Sequence, residues 1–70
     1  MRDPKRLDGF YDEVKRIHKE YFPDWRFGQL MTNYLRWLYD GGTDPFFPEE
    51  DRILECLKEY ARTHSKWKVE

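Results

Sequence analysis

A single cysteine and two histidines leave this sequence without an internal disulfide and nearly without metal chemistry. Cys56 has no second thiol to pair with, and His18 and His64 form no closely spaced ligand pair of the kind structural zinc sites use. Long apolar runs are missing too, so there is no transmembrane segment and no signal-peptide core. Neither sign of charge dominates: 13 Lys and Arg face 14 Asp and Glu, for a net charge of −1, interleaved with no like-signed block. That balance gives no long-range attraction to nucleic acid or anionic lipid. A lone thiol in a chain that opens with charged residues after Met1 points to a reducing cytoplasm.

What the sequence has instead is aromatic bulk. Its 70 residues make one small domain, and a chain of this size hides only about 60% of its unfolded surface. With disulfide and metal both excluded, large side chains are the stabilising device that remains, and five Phe, five Tyr and three Trp supply them. Homodimerisation stays open as a further device.

The apolar spacing predicts three helices and no strand. Helix 1, about 4–21, starts at Asp3 as N-cap with Pro4 in the first turn. It carries Leu7, Phe10, Tyr11, Val14, Ile17 and Tyr21 at intervals of three and four. Charged residues fill its other side, with i,i+4 pairs such as Asp12–Arg16 expected, and Gly9 interrupts an otherwise good helix former. Pro23 ends it. Helix 2, about 25–40, is capped by Asp24; Phe27, Leu30, Met31, Tyr34, Leu35, Trp37 and Leu38 occupy an arc of about 160° at 100° per residue. So wide an arc suits the helix that packs against both others. Gly41–Gly42 stops it. A linker with Pro45 and Pro48 leads into helix 3, about 48–63, where Glu49, Glu50 and Asp51 favour the helix start and Ile53, Leu54, Leu57, Tyr60 and Ala61 form the stripe. Residues 64–70, with Trp67, read as a frayed tail. The fold class is all-α: a compact three-helix domain with short proline-containing connections.

Catalysis finds no footing here. His18 and His64 have no nucleophile or carboxylate at a telling offset, and Glu55 and Glu59 beside Cys56 disfavour a reactive thiolate. The acids Asp44, Glu49, Glu50 and Asp51 lack the alternating ligands and central glycine of a calcium loop. No glycine-rich phosphate loop is present, and three short helices leave no room for an enclosed substrate pocket. The expectation is a protein that is not an enzyme and needs no cofactor or metal.

Two features remain that could carry recognition. Arg26, Gln29, Asn33 and Arg36 form a polar strip along helix 2, in residue types that read bases in a major groove. The slight negative net charge, and Asp24 and Asp40 at the strip's two ends, argue against that use, because phosphate contacts supply most nucleic-acid affinity. The other feature is surplus aromatic surface, since Trp25 and Trp67 fall off the stripes. Trp25 either staples the start of helix 2 against helix 1 or stands out as an anchor, and Trp67 is either folded back or exposed. Phe46 and Phe47 are expected to plug the open end of the core.

At "MRDPKRL", "PDWRFGQLMTN" and "DPFFPEED" the sequence resembles a group of short uncharacterised bacterial and phage-borne proteins that open with Met-Arg-Asp-Pro and carry Arg-Phe-Gly-Gln-Leu-like and Asp-Pro-Phe segments. The resemblance spans most of the chain. It implies a compact helical domain and no particular activity, cofactor or partner.

The reading that follows is a small cytoplasmic adaptor or regulatory module that binds another protein without catalysis. Its candidate contact face is Trp25, Arg26, Gln29, Asn33 and Arg36, with Trp25 and Arg36 as anchors and the amides fixing register. The alternatives are a nucleic-acid-binding regulator using the polar face of helix 2, and a structural homodimer in which spare aromatics bury each other. No membrane partner is expected.

Overall fold

The computed structural model describes residues 2–65 and contains three helices: α1 (Arg6–Tyr21), α2 (Phe27–Asp40) and α3 (Glu50–His64). The all-α, three-helix class read from the sequence is the observed one. Trp67 and the expected frayed tail lie outside the described residues, apart from His64, which closes α3, and Ser65, its C-cap.

Each helix begins about two residues later than the spacing predicts, and each for a local reason. Asp3 does hold the first turn: its Oδ1 accepts the Lys5 N–H at 2.9 Å. The next three bonds run Arg6 to Asp3, Leu7 to Pro4 and Asp8 to Lys5, so the chain enters through a tighter i→i+3 turn before α1 proper. Ahead of α2, Pro23 and Asp24 sit in a turn closed by the Trp25 N–H on the Phe22 carbonyl at 3.1 Å. Asp24 is therefore not the cap. Arg26 takes the extended N-cap conformation, and Glu49 does the same for α3, one residue beyond Pro48. At the other end of α2, the Thr43 N–H reaches the Leu38 carbonyl and the Gly42 N–H reaches that of Tyr39. This Schellman closure needs a left-handed residue, and Gly42 supplies it with φ +98°.

Helices α1 and α3 run parallel in fixed register. Arg6 pairs with Glu50 at 3.0 Å near their starts, and Ser65 Oγ donates to the Tyr21 carbonyl at 2.9 Å near their ends. Both pairs are 44 residues apart, so residue i of α1 lies beside residue i+44. A third tie joins Arg2 to Glu49. The expectation that helix 2 is the shared neighbour is corrected: α3 is the helix whose backbone comes close to both others. Tyr34 and Trp37 of α2 meet Tyr60 of α3 through their rings, at centroid distances of 5.6 and 5.2 Å.

The core consists of Ile17, Phe22, Leu30, Tyr34, Leu38, Leu57, Tyr60 and Ala61. Phe22, the C-cap of α1, is a core member that the helix 1 stripe omitted, because it belongs to the turn and not to the helical period. Full burial of each Ile, Leu or Phe among them contributes roughly 1.5–3 kcal/mol. No charged or polar residue is buried among the described residues. On the surface of α1, Arg16 bridges Glu13 at 3.0 Å and Glu20 at 2.8 Å, and the expected Asp12–Arg16 pair is not the one formed.

Candidate functional site

The five residues expected to form one contact face divide into three groups. Trp25 is not an anchor held out to solvent. It is half-buried, and its ring stacks on Phe22 with centroids 4.7 Å apart and planes 28° apart. Its carbonyl accepts a hydrogen bond from His18 Nε2 at 2.7 Å. The turn at Pro23 folds this ring back on the core, so Trp25 staples α1 to the entry of α2. Of the two readings of Trp25, its geometry fits the staple.

Gln29 is exposed but occupied. Its Oε1 accepts the Arg26 backbone N–H at 2.8 Å, which satisfies one of the free donors at the start of α2. A guanidinium has no acceptor to return the bond, so only this half of a capping box operates. Arg26, Asn33 and Arg36 are the members that remain fully available: all are exposed, and their side chains make no hydrogen bond or ion pair among the described residues.

The larger exposed feature is aromatic. Phe46 and Phe47 do not plug the core; they are 83% and 73% exposed. Their rings touch edge to face at 5.0 Å. The turn beneath them is held in place by Asp44, whose Oδ1 accepts the Phe46 N–H at 3.0 Å while its carbonyl accepts the Phe47 N–H at 3.3 Å. Pro45 presets the first corner of that turn, and Pro48 restricts the backbone of Phe47, the residue before it. The 41–49 connection lies at the end where α3 begins, whereas the core rings Phe22 and Tyr60 lie near the ends of α1 and α3.

The sequence flanking the pair is acidic. Between Asp40 and Arg52 the chain carries Asp44, Glu49, Glu50 and Asp51 and no basic residue. Glu49 and Glu50 are engaged by Arg2 and Arg6. The Arg6 hydrogen bond, helped by a backbone N–H of its own helix start, holds the Glu50 carboxyl below the ordinary carboxylate range. Among the described residues, Asp44 and Asp51 bond only to backbone N–H groups.

Further rings stand out elsewhere. Tyr11, Phe27 and Tyr39 are exposed although the stripes of helices 1 and 2 included Tyr11 and Phe27. The concave features are shallow by comparison. One open hollow of about 460 Å³ lies between the end of α2 and α3, lined in part by Trp37, Arg52, Cys56 and Glu59. Another, of about 470 Å³, lies where α1 and α3 begin, between Phe10 and Leu54. Among the described residues no three His, Cys, Asp or Glu side chains converge as a metal site, and no helix is long and apolar enough to cross a membrane. The two tyrosine hydroxyls of the core, Tyr34 and Tyr60, are both pushed up by burial.

A comparison of the chain with protein families, with curated proteins and with solved structures finds no match.

Proposed function

We propose that this chain is a non-catalytic protein-interaction module whose anchor is the Phe46–Phe47 pair. One observation carries the reading: two adjacent phenylalanines, 83% and 73% exposed, are held edge to face on a turn fixed by Asp44. Burying two such rings in a partner would remove a large apolar area from water, and a preset turn lowers the ordering cost of doing so. The acids beside the pair, of which Asp44 and Asp51 form no ion pair among the described residues, give the chemistry of the partner: a protein with an apolar pocket rimmed by Lys and Arg. The same acids repel phosphates, which sets nucleic acid and anionic lipid behind a basic protein surface. Arg26, Asn33 and Arg36 form a separate polar strip that can add contacts without supplying the anchor. A reducing cytoplasm suits the half-buried free thiol of Cys56.

The test is capture from native lysate by wild type and by the Phe46→Ala/Phe47→Ala variant, with and without nuclease. The reading expects a protein that survives nuclease, is retained by wild type, weakens as salt rises and is lost with the variant. Equal capture by both proteins removes the pair from the interface. Capture abolished by nuclease favours a nucleic-acid partner instead.

A further inference from the structure

We propose that the Phe46–Phe47 turn is a latch with two positions. Phe47 swings from the exposed position seen in the structure into the open hollow between Phe10 and Leu54, which takes one ring of the pair out of a partner's reach. The swing itself needs no partner; its consequence for binding rests on the reading of the pair as the anchor.

The hollow is apolar surface that the fold leaves uncovered. The first two turns of α1 and of α3 contain no buried residue, although both helices carry their apolar stripes into them. The register of 44 residues sets Phe10 of α1 beside Leu54 of α3, and both stay half-buried. Between them opens a hollow of about 470 Å³, rimmed by Arg6, Glu49, Glu50 and Asp51. A cavity of about 150 Å³ already accepts a benzene-sized ring. The rim does not oppose entry, because Glu49 and Glu50 are paired with Arg2 and Arg6.

Chain connectivity decides what enters. Phe47 stands three residues before Glu50, so its Cα lies within about 11 Å of that rim residue. A ring tethered so closely meets the hollow at an effective concentration on the order of millimolar, which gives it precedence over a free ligand.

The turn is built to release. Among the described residues both hydrogen bonds that hold it end on Asp44, and the one from the Phe47 N–H is long, at 3.3 Å. Pro48 has no N–H to tie the chain down between Phe47 and α3, and it already favours an extended Phe47. Unwinding the turn to extended backbone sends successive side chains to opposite faces. Phe47 then turns in while Phe46 stays out, and their edge-to-face contact is broken. Closing exchanges two hydrogen bonds of the turn and one ring contact for burial of a ring that is 73% exposed. These are quantities of similar size, so both positions are populated. A partner that needs the two rings together binds in proportion to the open fraction.

Nuclear magnetic resonance of the chain alone tests the latch. Nuclear Overhauser effects should join the Phe47 ring to the Leu54 methyls. Phe47→Ala should move those methyls downfield by removing the shielding ring, and Phe46→Ala should leave them in place. Asp44→Ala removes one of the two hydrogen bonds of the turn. It should raise the ratio of closed to open chains about fivefold and move the methyls farther upfield. All three side chains are exposed, so the variants keep their helices. A wild-type chain without a Phe47–Leu54 effect overturns the proposal. So do Leu54 methyls that ignore Phe47→Ala, or that follow Phe46→Ala as strongly. The anchor reading is scored apart from this, by capture: a chain that closes, yet captures its partner equally well after Phe46→Ala/Phe47→Ala, keeps the latch and loses the anchor.

Discussion

His18 donates from Nε2 to the carbonyl oxygen of Trp25 at 2.7 Å, across the turn that joins α1 to α2. A carbonyl can only accept, so the bond places a proton on Nε2 and fixes the imidazole against the connection. With the Trp25 ring stacked on Phe22, the turn is held from its backbone and from its side chain at once. Trp25 is thus a structural residue, and its loss should be read in stability.

Replacing Trp25 by alanine should cost about 2–4 kcal/mol, somewhat less than a fully buried tryptophan, because one side of the ring meets water. For a domain of this size that corresponds to a fall in melting temperature of roughly 10–25 °C. The triple change Arg26→Ala, Asn33→Ala and Arg36→Ala should leave stability within about 0.5 kcal/mol, as expected of exposed side chains without partners. Urea titrations of the two variants side by side separate a staple from a solvated strip. A stable Trp25→Ala protein would return that ring to the surface reading.

The contrast between Trp25 and Phe46 shows which part of this fold the sequence carried. Periodicity located all three helices, because an apolar row every three or four residues states which way a side chain points. It does not state whether a neighbour is there to meet it. Phe27 shares a direction with Leu30 and Tyr34 yet lies past the end of the packing, so it is exposed while they are buried. Trp25 lies off the helical period altogether and is still covered, because the Pro23 turn aims it. Residues in connections escape the wheel. For that reason the exposure of Phe46 and Phe47 is not legible in the helical period, while Asn33 and Arg36, within α2, and Arg26, its N-cap, are exposed as the wheel predicts.

Tyr34 makes a second prediction, on the alkaline side. Its hydroxyl donates to the Ile53 carbonyl, and burial, followed by the neighbouring Cys56, raises its ionisation above the ordinary 10.0. A folded-state value raised above the unfolded one contributes stability that is complete below pH 10 and is lost as pH rises beyond it. Tyr34→Phe keeps the ring in place but forfeits the hydrogen bond, which should cost about 1 kcal/mol at neutral pH. Above pH 10 the variant should lose stability less steeply than wild type, so the two curves converge. Tyr60, raised by burial alone, keeps some slope in both proteins. Parallel curves from pH 7 to 12 would mean that the Tyr34 hydroxyl is not protected.

The glycines separate by backbone conformation. Gly42 takes the left-handed turn that closes α2, and an alanine there should cost about 1–2 kcal/mol. Gly9 lies within α1, with nothing inside 4 Å of where a Cβ would stand, so no close approach requires it. Gly9→Ala should stabilise the domain by about 0.5–1 kcal/mol through helix propensity and a less flexible unfolded chain. Thermal melts of the pair should move in opposite directions. A shift of the same sign in both would place the constraint elsewhere than in the Gly42 dihedral.

On the acid side the register of α1 against α3 becomes measurable. The Glu50 carboxyl is lowered from its ordinary 4.5 first by the hydrogen bond from Arg6, then by a backbone N–H at the start of α3. Glu13 is lowered as well, chiefly by the hydrogen bond from Arg16. A carboxyl lowered in the folded state contributes stability that is present above 4.5 and disappears as pH falls through its folded value. Glu50→Gln should therefore melt below wild type at pH 7, and the gap should close as both are taken from pH 5 toward pH 2. Arg6→Ala should reproduce the same closing gap, because it removes the other half of the pair, while Glu13→Gln should change the acid limb without loosening α3. Salt should narrow the neutral-pH difference, since both partners reach solvent. A pH-independent gap between wild type and Glu50→Gln would assign the residue to helix initiation alone and not to the tie between the two parallel helices.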